Sequence, residues 1–150
     1  MANAKALTVG LCLFLLAPAV CLAQAKKIPI AVDHTGDDSV GKGVAFALKE
    51  AIRGSRGFYL VDNDLKAPRI TVILVSVDDN IGSEKGFSSA IAVAIVYDSI
   101  ATAGRGIFLT LLVHDCGRDR IETCAKNILP AIDKEIENLR TNWPSLWKTL

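Results

Sequence analysis

A chain of 150 residues, 51% of them apolar, has room for one domain and a leader. Its 17 Lys and Arg stand against 16 Asp and Glu. That balance leaves no basic field to attract nucleic acid or an anionic membrane surface.

The first 25 residues, MANAKALTVGLCLFLLAPAVCLAQA, read as an export leader. Lys5 supplies a short positive start, Leu7–Leu16 an apolar core and Ala23-Gln24-Ala25 a small-x-small cleavage site. The apolar run falls short of the roughly 20 residues that span a bilayer, so no stable membrane insertion is expected after cleavage. Cys21 does not make a lipoprotein site, because Val20 and Pro18 stand where small and Leu residues are wanted. Removing the leader takes Lys5 with it and leaves 16 basic and 16 acidic groups. It also leaves two cysteines, Cys116 and Cys124, whose expected state in an exported chain is a disulfide. Residues 26–150 are then a single domain in the periplasm or outside the cell.

Lys27–Asp33 alternates weakly and reads as a strand, followed by a turn at Asp33-His34-Thr35-Gly36. Asp37, Asp38 or Ser39 caps a helix whose apolar face is Val40, Val44, Leu48 and Ala51, closed by Gly54. Gly41 and Gly43 lack the spacing of a phosphate loop and instead let that helix approach a sheet closely. Phe58–Asp62 is a short strand. Arg69–Val77, Ser88–Tyr97 and Ile107–Val113 are strong strand patterns separated by Gly-containing loops, the signature of an antiparallel meander. A last helix follows, with Ile121, Cys124, Ile128, Ile132, Ile136 and Leu139 on one face and an expected kink at Pro130. The tail, 141–150, places Trp143, Leu146, Trp147 and Leu150 on one amphipathic face. The expected fold class is α+β, in the order β-α-β-β-β-β-α, with a mainly antiparallel sheet packed on two helices.

Counting sheet faces reveals a surplus. Arg69–Val77 is apolar on both sides, and Ser88–Tyr97 carries Ile91, Val93, Ile95 and Tyr97 on one face and Ala90, Ala92 and Ala94 on the other. An antiparallel sheet with a solvated second face normally reads polar there. The second face is therefore expected to be covered by the tail, by a second copy in a homodimer, or by a protein partner.

The densest reactive chemistry is Ile107–Cys124. His114 and Asp115 at a strand end, with Arg118 and Arg120, form a candidate polar site, and the meander brings Asp78, Asp79, Glu84 and Lys85 to the same edge. The plainer reading is a solvated turn clamped by Cys116 and Cys124. Nucleophilic catalysis lacks support, since Ser76, Ser88, Ser89 and Ser99 have no nucleophile-elbow context. His34 and His114 lie on separate elements without metal-ligand spacing, and no cofactor motif is present. The adjacent carboxylates Asp37-Asp38 and Asp78-Asp79 are explained by solvated turns. Trp143 and Trp147 are candidate interface residues, because tryptophan is enriched at binding hot spots.

The stretch Ile28–Asp62, IPIAVD, a turn, then VGKGVAFALKEAIRGSRGFYLVD, resembles the small α/β domain shared by the N-terminal part of TolB and by CsgG-like envelope proteins. The resemblance covers about a quarter of the chain and carries fold rather than site residues. It implies a non-enzymatic domain serving assembly or partner binding in the cell envelope. This chain departs from that pattern in its Cys116/Cys124 pair and in having no propeller or pore domain. The residues thus point to a small exported binding module. The alternative is a small-ligand binder or hydrolytic enzyme using the polar edge around His114.

Overall fold

The computed structural model describes residues 26–62, 67–80, 82, 85–99 and 106–150. The leader at 1–25 and Glu84 lie outside the described residues. The chain forms β1 (Ile28–Thr35), α1 (Ser39–Arg53), β2 (Phe58–Leu60), β3 (Arg69–Asp78), β4 (Ser88–Asp98), β5 (Ile107–Gly117), α2 (Ile121–Asn142) and a short α3 (Pro144–Trp147). One five-stranded sheet has the order β2-β1-β3-β4-β5. The β3-β4-β5 meander is antiparallel, whereas β1 pairs parallel with both β2 and β3. The parallel edge follows from connectivity, since α1 carries the chain back over the sheet between β1 and β2. The class is α+β.

Both long helices pack on one face of this sheet, the inner face. Alternation selects Ile30, Val32, Ile70, Val72, Leu74, Ile91, Val93, Ile95 and Tyr97 for it, and all are buried. The facing stripes are Val40, Val44, Leu48 and Ile52 of α1, and Ile128, Ile132, Ile136 and Leu139 of α2. Asp38 is the N-cap of α1, and the amide of Gly54 closes the helix on the carbonyls of Glu50 and Ile52. Of the two helical glycines, Gly41 lies directly on Ser76 of β3, where a Cβ would collide with the Ser76 side chain. Gly43 instead faces the second helix, where a Cβ would come within 2.8 Å of Ile121 Cδ1. One glycine sets the helix-to-sheet distance and the other the helix-to-helix distance.

Two strands differ from the sequence pattern. The polar switch at His114 does not end β5; the strand continues to Gly117, because His114, Asp115, Cys116 and Gly117 stay paired with Ile91, Ala90, Ser89 and Ser88. For the same reason β1 runs on through His34 and Thr35, opposite Leu74 and Val75. The last helix, α2, runs across Pro130 without a break. Pro130 is exposed, so the Lys126 carbonyl that it cannot satisfy is on the watered side.

The tail folds back onto the inner layer. Leu146 and Trp147 pack against the core, Leu150 is buried, and the Tyr97 and Thr149 hydroxyls are 2.6 Å apart. The tail therefore does not cover the second sheet face. At the opposite end, the Cys116–Cys124 disulfide joins the end of β5 to the first turns of α2 across a Cα separation of 6.1 Å. A cross-link over so short a loop contributes about 2–3 kcal/mol in the chain-entropy model. Replacing both cysteines with alanine is expected to lower unfolding free energy by that amount in denaturant titrations. The untreated protein should have an intact mass two hydrogens below that of the reduced one.

Candidate functional site

Two places in the fold carry more than packing. The first is a polar knot at the end of the inner face where β3 finishes and β4 begins. Ser76 and Ser89 interrupt the apolar inner rows of their strands, and both hydroxyls donate to the Asp38 carboxylate, Ser76 to Oδ2 and Ser89 to Oδ1 at 2.5 Å. The Gly41 amide donates to Oδ1 at 2.5 Å, completing the N-cap. His34 Nε2 lies 2.7 Å from Ser76 Oγ. Ser76 has a single hydroxyl proton, committed to Asp38, so His34 must be the donor in that contact. Burial pushes the Asp38 carboxyl up, but the bonds from Ser76, Ser89 and Gly41 outweigh it and hold the group below its ordinary value.

Asp, His and Ser thus come together, but with the polarity of a nucleophilic triad reversed. A triad needs serine to give its proton to histidine and histidine to be oriented by the carboxylate. Here serine gives its proton to the carboxylate and histidine supports serine from the far side. Ser76 is also only 4% exposed, beneath Gly36. The knot holds a charge in place and fixes α1 on the sheet. Sequence reasoning passed over it, although two serines breaking apolar rows beside an aspartate at a helix start were a visible signal.

The polar edge read from the sequence is only partly assembled. Asp78 and Arg118 do converge, through the β3–β4 loop. Asp78 Oδ2 accepts from the Gly86 amide at 2.6 Å, and Arg118 Nε donates to the Gly86 carbonyl at 2.9 Å with its guanidinium over the Phe87 ring. Asp79 accepts from Asn80 and Ser88, and Arg120 is exposed on the single turn of 3-10 helix that precedes α2. His114 and Asp115 do not join them as one site. Because β5 continues, strand alternation turns His114 toward the helices and Asp115 to the other face. His114 Nε2 is buried without a hydrogen-bond partner among the described residues. Of the two tryptophans, Trp147 packs on the core with Arg140 above its ring, while Trp143 is exposed at the end of α2. Among the described residues, no group of three or more His, Cys, Asp or Glu side chains could hold a metal ion.

The second place is the outer face of the sheet. Val77, Phe108, Leu111 and Val113 are 64%, 61%, 56% and 69% exposed, and Val75 is 47% exposed. These residues sit on β3 and β5, on either side of β4 and on one surface, which distinguishes them from the isolated apolar side chains that any protein surface shows. No described helix is long and apolar enough to cross a membrane.

No protein-family model and no curated protein matches the chain. Among solved structures it is similar to a PelC dodecamer from Paraburkholderia phytofirmans, at 12% identity over 71% of this chain and 83% of that one, with a TM-score of 0.41. A single-substitution form of the same dodecamer gives 11% identity, 71% and 84% coverage, and a TM-score of 0.40. At that distance neither the assembly nor the role of those proteins transfers to this chain.

Replacing Asp38 with Asn keeps the shape of the knot and removes its charge. The expected cost at neutral pH is about 1–2 kcal/mol, from a weakened cap and one mismatched hydroxyl. The folded-state carboxyl titrates below its ordinary 3.8, so its contribution is present above that value and lost as pH falls through the folded-state one. Melting temperature below about pH 4 should therefore fall more steeply for the native protein than for Asp38→Asn. Parallel acid limbs in a pH series of thermal melts would show that the carboxylate is not held as described.

Proposed function

We infer that this chain is an exported, non-enzymatic protein-binding module of the periplasm or cell exterior, and that it binds through the outer face of its sheet. The observation that carries the reading is the continuous apolar surface on β3, β4 and β5, which no described element of the chain covers. Each exposed aliphatic or aromatic side chain there gives up about 1.5–3 kcal/mol of burial free energy, a cost a binding surface recovers on association. Export is supported by the leader-like residues 1–25 and by the Cys116–Cys124 disulfide, which reducing compartments disfavour. The resemblance of Ile28–Asp62 to the small domain of TolB-like and CsgG-like envelope proteins leans the same way, toward assembly rather than catalysis.

A charge placed on this face tests the reading without touching the core. Leu111→Asp and Val113→Asp should each leave stability within about 0.5 kcal/mol of the native protein, since both side chains already face water. Each should abolish chemical cross-linking of the protein to whatever it binds in intact envelopes. Undiminished cross-linking by both variants would refute a binding role for the face. The mass of the exported protein should begin at Lys26; one that retains residues 1–25 would refute the export assignment.

A further inference from the structure

The near-equal count of acidic and basic groups holds for the chain as a whole, not for its two ends. β1 starts, β4 ends and both long helices run out at one end of the layer, where the tail is also held by Tyr97. Among the described residues, the exposed cations Lys26, Lys27, Arg53, Arg56, Arg140 and Lys148 gather at this end against the carboxylates of Asp62 and Asp98. Glu50 and Glu137 stand about one helical turn further in, paired with Arg53 and Arg140. The opposite end carries Asp37, Asp38, Asp78, Asp79, Asp115 and Asp119 against Lys42, Lys85, Arg118 and Arg120. The fold therefore sorts a balanced composition into a basic pole and an acidic one, and the local field rather than the net charge is what a charged surface meets.

The basic pole is one connected surface. Lys26, Lys27 and Lys148 line a single cleft with Ile28, Trp147 and Leu150. The Lys27 ammonium donates to the Ser55 carbonyl at 3.0 Å, in the turn between Arg53 and Arg56. Arg140 lies over the Trp147 ring, 5.6 Å from its centroid, and Trp143, 56% exposed, stands one helical turn before Trp147. We propose that this end docks on an anionic bilayer surface, with Trp143 at the level of the headgroups and the lysines among the lipid phosphates. Tryptophan and lysine suit that depth together: an indole is apolar with one polar N–H, and a lysine stem crosses apolar surface to keep its charge in water. A second observation points to the same occupant. Residues 1–25, the leader-like stretch, join the domain at Lys26, inside this patch. A leader engaged with the membrane brings the basic pole, and not the acidic one, against the lipid. A soluble acidic partner accounts for the cations but not for their position. Docking here is peripheral, since no described helix is long and apolar enough to cross a membrane. With this end down the strands point away from the bilayer, and the outer sheet face stays open.

Vesicle flotation of the exported protein tests this. At about 0.1 M salt it should float with vesicles of mixed phosphatidylethanolamine and phosphatidylglycerol, and stay behind with vesicles of phosphatidylcholine alone; raising the salt to about 1 M should release it. Each lysine near an anionic surface gives about a five-fold gain in affinity, so Lys26→Ala combined with Lys148→Ala should weaken binding about 25-fold. Lys42→Ala combined with Lys126→Ala removes the same charge near the acidic pole. It should leave binding within about two-fold, because the sheet separates the poles by roughly 25 Å, beyond the screening length of about 10 Å. Tryptophan emission should move to shorter wavelength on vesicle binding, and most of that shift should go in Trp143→Ala. All five substituted side chains are exposed, so the variants leave the core untouched. Flotation with both kinds of vesicle, equal losses from the two double variants, or an unmoved tryptophan emission overturns the proposal. So does a native protein that never floats, and its retention on heparin in that case assigns the patch to a soluble polyanion.

Discussion

The inner layer depends on a single carboxylate. Asp38 begins α1 and accepts from its own first turn, but it also takes the hydroxyls of Ser76 on β3 and Ser89 on β4. Three donors from three elements fix both the height and the rotation of α1 over the sheet. Once α1 is seated, Gly41 must lie on Ser76, where no larger residue fits, and Gly43 must face Ile121, where α2 passes. The disulfide then fastens α2 to β5 in the strand position that pairs with Ser89. The knot, the two glycines and the disulfide thus form one connected seam. Hydrogen bonds to an ionised acceptor are among the stronger polar contacts available to a fold, at about 1.5–3 kcal/mol each. A misplaced α1 would lose several of them together.

Much of this architecture was legible in the residues. Every strand and both long helices follow from apolar period, and a cap among Asp37, Asp38 and Ser39, the close at Gly54 and the cysteine pair follow from local chemistry. What periodicity could not supply was anything set by a distant partner. The end of β5 was read at the polar switch after Val113, yet a strand stops where its neighbour stops, and β4 offers paired residues as far as Ser88. The parallel pairing of β1 is likewise a property of connections rather than of composition. The knot joins residues 38 and 51 positions apart through short side chains, and its only local trace is serine in rows of isoleucine, valine and leucine. The polar edge suffered most from this. His114 and Asp115 looked like one site because they are adjacent, and adjacency in a strand is what separates them.

The exposed outer face follows from the same connections. The α1 crossover lies on the inner side. β5 reaches α2 through three residues, and the disulfide pins the first turns of α2 beside the strand end, so α2 has little freedom to cross to the other side. The tail continues from α2 and is caught by Tyr97 on that same side. Every described helix is therefore committed to one face by a short or cross-linked connection. A sequence selected only for its own folding would make the other face polar, at little cost to the inner core. This one instead keeps valine, leucine and phenylalanine exposed on β3 and β5 with alanine on β4 between them, the pattern on which the proposed binding role rests.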